Sequence, residues 1–222
     1  MTHMTANQYI DIHTHKPSKE IDIQSIINWD ELDCSRLEGN RYLVSLGLHP
    51  WNIPKVNVEF TLREIEQYST NPNIVAVGEI GLDKLVDVSL EMQEKVFTTQ
   101  LQFANRLEKP VIIHCVKAFS ELLRIRKQQH TSIPWILHGF RNNEQIGDSL
   151  IKSGCYLSFG KALLQQENLQ RLFQKISDHQ YFLETDDSNI SIKDIYLKAA
   201  ELKNKSVNEL MQNLQINYEN CF

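Results

Sequence analysis

The chain reads as a parallel α/β protein, a single (β/α)8 barrel whose first βα units are truncated or irregular. Three observations predict this. Short β-branched and aromatic runs alternate with longer stretches of helical period, the runs number eight, and five of them end at or beside a side chain able to ligate a metal. In a parallel barrel the C-terminal strand ends share one face, where active sites are built, so ligand types placed there can meet although distant in sequence.

The strands are expected at Tyr9–His13, Ile21–Ile27, Arg41–Gly47, Ile74–Glu79, Val111–His114, Trp135–His138, Cys155–Phe159 and Tyr181–Thr185. Helices are expected at Glu59–Tyr68, Leu90–Leu107, Phe119–Gln129, Asn143–Lys152, Leu163–Ile176, Lys193–Leu202 and Val207–Tyr218. In the second, Val96, Phe97, Leu101, Ala104 and Leu107 recur at helical intervals on one side. Ser206-Val207-Asn208-Glu209 has the form of a capping box and should start the last helix. The stretch Lys16–Asn40 must hold two crossovers and a strand, which is too short for two helices, so at least one helix there is expected to be missing or reduced to a turn. No linker, repeat or low-complexity tract interrupts the pattern, and residues 1–222 are read as one domain.

Composition narrows the function classes. With 41% hydrophobic and 23% charged residues the chain can bury a core, and wholesale disorder is excluded. A net charge of −5 argues against a broad basic surface that binds nucleic acid by counterion release, while leaving room for a local anion site. Cys34, Cys115, Cys155 and Cys221 form neither a CxxC pair nor a dense framework, so reduced thiols are expected. Met1 to Gln8 carry no apolar signal core and no membrane-length apolar run occurs, so the expected location is the cytoplasm, with no membrane contact and no obligate protein partner evident.

The chemistry lies at the strand ends. His13 and His15 are two residues apart on an extended run and point to the same side, so both imidazoles can reach one ion. Glu79 closes the apolar run Asn73–Gly78, where a carboxylate is costly to bury unless it pairs or ligates. His114 and His138 each follow three apolar residues. Glu184 and Asp186 alternate to the same side at the end of the last run, and Asp186 is preferred because it lies nearer the mouth. These six residues, His13, His15, Glu79, His114, His138 and Asp186, are the candidate metal ligands.

The segments His13-Thr14-His15, Gly47-Leu48-His49-Pro50, Gly78-Glu79-Ile80-Gly81-Leu82-Asp83, Val111-Ile112-Ile113-His114, His138-Gly139-Phe140 and Glu184-Thr185-Asp186 follow in the order of the TatD-like metal-dependent hydrolases, and the chain resembles that family over nearly its whole length. The resemblance implies a TIM-like barrel of the amidohydrolase type, two divalent ions and deoxyribonuclease activity. It also implies that His13, His15 and Asp186 hold one ion and His114 and His138 the other, with Glu79 bridging. His49, in the matching Gly-x-His-Pro segment, is expected either to face substrate or to support the ligands or the fold from behind them. Where relatives commonly read His-Ser-Arg, His114 is followed by Cys115-Val116-Lys117, which makes Lys117 a displaced substitute for the phosphate-gripping Arg; Arg141 follows Phe140 in place of a small residue.

The expected reaction is hydrolysis by a metal-activated water, with Asp186 as general base and Glu79 anchoring both ions. Zinc, manganese, iron or magnesium would serve, the first three suiting imidazole ligands better. DNA or oligonucleotide ends are the expected substrate, with Lys84, Lys117, Arg141 and Lys161 near the mouth to position phosphate. The acidic net charge and the missing Arg keep a second reading open, a metal-dependent amide, ester or lactone hydrolase. A third is a non-catalytic binding protein that keeps only the barrel.

Overall fold

The computed structural model describes residues 8–29, 42–129 and 131–222. Eight strands lie in sequence order, every neighbouring pair parallel: β1 Tyr9–Thr14, β2 Ile23–Trp29, β3 Leu43–Leu46, β4 Ile74–Asp83, β5 Val111–Val116, β6 Trp135–Leu137, β7 Cys155–Phe159 and β8 Tyr181–Leu183. Helices α1 Val58–Tyr68, α2 Leu90–Arg106, α3 Phe119–Gln128, α4 Glu144–Lys152, α5 Ala162–Gln165, α6 Glu167–Lys175, α7 Ile192–Lys203 and α8 Val207–Cys221 alternate with the later strands and follow the last. The parallel barrel expected from the alternation is present. Its interior and the sheet–helix layer are filled by β-branched and aromatic residues such as Ile12, Ile26, Val77, Ile113, Ile136, Phe159 and Phe182, all buried.

The trimmed front end is also present. Residues 15–22 join β1 to β2 without a helix. Eight extended residues reach about 26 Å, enough to run back past a six-residue strand of about 20 Å. The second expected crossover, Arg41 at the predicted start of the third strand, and Cys34 lie outside the described residues.

Three elements differ from expectation, each with consequences for the site. β2 begins two residues later than predicted, because Ile21 lies out in solvent, and it runs on to Trp29, carrying Asn28 to the rim. β4 continues four residues past Glu79 to Asp83 and shifts register against β5 between Val77 and Ile80, an irregularity of the kind that re-aims a side chain. That junction is tight: a Cβ on Gly81, whose φ is 150°, would lie 1.9 Å from the His114 carbonyl oxygen, so only glycine fits. The predicted helix Leu163–Ile176 is broken at Gln166, which is extended. On one continuous helix Leu163 would point about 120° away from Leu169, Leu172 and Phe173; the break lets all four be buried.

The caps follow the sequence. Asn57, Ser89, Asn143 and Ser191 accept backbone N–H groups at the starts of α1, α2, α4 and α7, and the Ser206–Glu209 capping box starts α8.

The seam between β1 and β8 is closed mainly by side chains. The Thr14–Asp186 bridge joins the two strand ends, with Asp186 N–H donating to the His13 carbonyl (3.0 Å) and His15 N–H to the Asp186 carbonyl (3.1 Å). One turn deeper, the Asp11 carboxylate accepts Thr185 N–H (2.9 Å) and Thr185 Oγ1–H (2.6 Å). Near the start of β1 the Tyr196 hydroxyl of α7 accepts Ile10 N–H (2.9 Å) and donates to the Ile10 carbonyl (3.1 Å), taking the place of a strand neighbour. Among the described residues no helix is long and apolar enough to cross a membrane.

Candidate metal centre

His13 lies within β1 and is wholly buried; His15 follows the strand end and is partly exposed. The β1–β8 bridge holds Asp186 beside both, with its Oδ1 3.7 Å from His13 Nε2 and 3.5 Å from His15 Nε2. Asp186 takes a left-handed φ of 53°, a conformation that aspartate tolerates better than most residues. Backbone hydrogen bonds between the strand ends thus fix this trio.

Glu79 is the hub of the second group. Its Oε1 lies 2.7 Å from His138 Nε2, 2.9 Å from His114 Nδ1 and 3.2 Å from His49 Nε2, and its Oε2 lies 3.5 Å from His13 Nε2. The donors sort into compact sets of His13, His15 and Asp186; His13, Glu79 and His138; His49, Glu79 and His114; and His138, Glu184 and Asp186. All six sequence-derived ligand candidates therefore share one rim, with Glu79 between the clusters. His49 joins them, its Nε2 within hydrogen-bond reach of the same carboxylate.

The donor chemistry fits divalent cations. Both ring nitrogens of buried His13 lack a hydrogen-bond partner, as does His138 Nδ1. Burial, then the neighbouring His138, holds the His13 imidazole well below its usual pKa, which keeps it neutral with a lone pair to donate. Burial opposes the ionisation of Glu79, but His138, His114 and His49 outweigh it and hold the carboxyl well below its usual range. Burial opposes the charging of His138 too, yet Glu79 and then Glu184 lift it well above the usual imidazole value. A buried carboxylate needs a cationic partner, which protonated His138 supplies here and a divalent ion can replace.

The sequence profile of the TatD related DNase family matches residues 20–222, nearly the whole chain. The chain belongs to the TatD family. It is 30% identical over 126 residues to an uncharacterized metal-dependent hydrolase of Buchnera aphidicola subsp. Baizongia pistaciae, covering 55% of this chain and 47% of that one. To the 3′-5′ ssDNA/RNA exonuclease TatD of Cronobacter turicensis it is 30% identical over 164 residues, covering 72% of this chain and 62% of the relative. It thus spans about half and under two thirds of these relatives' lengths. The crystal structure of the Escherichia coli K12 TatD homologue YjjV superposes with a TM-score of 0.84 at 21% identity, covering 98% of this chain and 99% of the other, and so shares the fold.

Around the candidate ligands this TatD family member places supporting groups, of which the sequence had marked only Glu184. Asn28 Oδ1 accepts the Glu79 N–H (2.9 Å) and its Nδ2 approaches Glu79 Oε2 (3.4 Å). Asp83 Oδ2 lies 3.1 Å from His114 Nε2, which orients the ring toward Glu79. Glu184 is fully buried, accepts Gly139 N–H at 2.6 Å and stands 3.6 Å from His138 Nδ1. The two carboxylates that strand alternation could not separate therefore divide their work, Asp186 beside the His13–His15 pair and Glu184 behind His138. Two buried glutamines on α2 hold the neighbouring main chain: Gln100 bonds both N–H and C=O of Leu48, before His49, and Gln93 bonds both N–H and C=O of Asp83. Asp83 was visible as the residue four beyond Glu79 on the same side of a strand, and Gln93 and Gln100 as polar residues on the apolar face of α2. Asn28 had no such signal, because it depends on the shifted start of β2.

Lys117 and Arg141 are exposed on the loops after β5 and β6, and Lys161 lies exposed after β7. Lys84 pairs with Glu121, Nζ to Oε1 2.6 Å. His179 is exposed and stands apart from the rim groups.

Proposed function

We propose that this chain is a divalent-metal-dependent hydrolase that cleaves phosphodiester bonds at the ends of single-stranded DNA or oligonucleotides. The observation that carries this is the convergence of His13, His15, Glu79, His114, His138 and Asp186 on one rim, with the buried His13 nitrogens unpartnered. The name TatD related DNase and the exonuclease name of the Cronobacter relative support the nucleic-acid substrate. Continuity of the sheet from β1 round to β8 supports a single domain over residues 1–222.

In this reading His13, His15 and Asp186 would hold one ion, and His114 and His138 the other. Glu79, which stands in both donor groups with His138 and with His114, would serve both ions, and zinc, manganese, iron or magnesium are the candidates. Divalent ions supply Lewis acidity and render water nucleophilic near neutral pH. Asp186 is the general base: burial, then the nearby Glu184 carboxylate, raises its carboxyl above the usual range, which favours accepting a proton at its Oδ atoms. Neutral His13 and the Glu79 carboxylate keep the donor atoms in place, while Lys117, Arg141 and His49 face the phosphate.

The test is metal analysis together with release of nucleotides from single-stranded DNA, on wild type and Glu79→Ala. The expected result is bound metal and turnover in wild type, and loss of both by more than about 100-fold in the variant. Full metal content and full turnover in Glu79→Ala would overturn the assignment. Turnover of esters or lactones with none on DNA would move the chain to the amide, ester or lactone reading.

A further inference from the structure

One large side chain at the rim has no part in metal binding. Trp51, in the 3-10 turn Pro50–Lys55, is 55% exposed, whereas Trp135 is buried inside the fold. Trp51 is nevertheless held on several sides. Its indole N–H donates to Asp83 Oδ2 at 2.8 Å, and its ring meets His49 edge-on at 5.0 Å and His114 at 5.9 Å between centroids. Asp83 is itself buried, and its other oxygen accepts the N–H of Leu85, a second exposed apolar residue. A single carboxylate thus fixes an indole and the backbone of an exposed leucine while also touching the candidate ligand His114.

We propose that the exposed face of Trp51 is the stacking platform for the base of the nucleotide whose phosphate the metal centre engages, an inference that rests on the phosphodiesterase reading. The polar edge of the indole is already satisfied, so what it offers a ligand is a fixed π-face, and every nucleobase has one to match it. The ring borders His49 and His114, so a base lying on it sits next to a phosphate at those imidazoles. Stacking of this kind tolerates any sequence, which suits removal of successive nucleotides from an end. Asp83 serves as a positioning residue for both halves of this site, since its Oδ2 meets both the Trp51 indole and the His114 imidazole.

The experiment is a calorimetric titration of the metal-loaded protein with thymidine 5′-monophosphate and with deoxyribose 5-phosphate, which lacks the base, on wild type, Trp51→Phe and Trp51→Ala. Wild type is expected to prefer the nucleotide by about 5- to 150-fold, the range for loss of one aromatic–base stack. Trp51→Phe should keep part of that preference, and Trp51→Ala should bind both probes equally and weakly. Equal binding of the two probes by wild type, or an undiminished preference in Trp51→Ala, overturns the platform. Cleavage of single-stranded DNA, measured on the same samples, separates the two proposals. Cleavage with base discrimination that survives Trp51→Ala rejects the platform alone. Discrimination lost in Trp51→Ala, with no cleavage by wild type, supports the platform and rejects the phosphodiesterase.

Discussion

The Asp11 carboxyl makes the stability of this fold depend on pH. It is buried in the β1–β8 seam, and burial, only partly offset by the hydrogen bonds from Thr185, pushes it from 3.8 up to about 7. The folded chain therefore keeps a proton that the unfolded chain has already released, so this contribution is complete below about pH 4 and is lost as pH rises toward 7. At 1.36 kcal/mol per pH unit the whole effect is about 4 kcal/mol, of which about 2–3 kcal/mol falls between pH 5 and pH 8. A chain of 222 residues has an unfolding entropy of about 0.47 kcal/mol/K, so that interval corresponds to about 5 °C in Tm. In Asp11→Asn the amide oxygen can still accept Thr185 N–H and the amide NH2 can donate to Thr185 Oγ1, whose own proton turns to Thr14 Oγ1 at 2.9 Å. The network survives without a titrating group. Thermal melts of chelator-treated protein from pH 5 to pH 8 should show Tm of the variant, relative to wild type, rising by about 5 °C with pH. His13 and His138 titrate in both proteins and cancel in the difference. Parallel profiles would show that Asp11 is not the group responsible, and a relative fall would reverse the sign of the argument.

Two further outcomes follow from named contacts. Tyr196→Phe strands the buried N–H and C=O of Ile10, at about 1–3 kcal/mol each, and should lower Tm by about 4–13 °C; a change under about 1 °C would show that the seam is not held by the phenol. Glu184→Gln keeps an acceptor for Gly139 N–H but removes the negative charge behind His138, and should weaken metal binding by about 10- to 100-fold in a chelator competition, with little change if Glu184 only packs.

Much of the architecture was legible from pattern. Apolar runs separated by helical segments foretold all eight parallel strands, because strand and helix periods are local properties of the chain. The ends of those runs marked the six residues that gather on one rim, since parallel strands must deliver their C-termini to one face. The Ser206–Glu209 box and the lack of a helix between β1 and β2 likewise follow from local chemistry and chain length.

What no local pattern carried was the relation between strands. The late start of β2 brings Asn28 to Glu79, and the register shift in β4 sets Glu79 among four imidazoles rather than simply at a strand end. Glu184 and Asp186 share a side of the chain, and only their neighbours, His138 for one and the His13–His15 pair for the other, tell them apart. The indole of Trp51 and the phenol of Tyr196 likewise take their places from partners 32 and 186 residues away. Periodicity determines which way a side chain faces along its own strand; which groups it meets there is decided by register and closure, and these are properties of the assembled sheet.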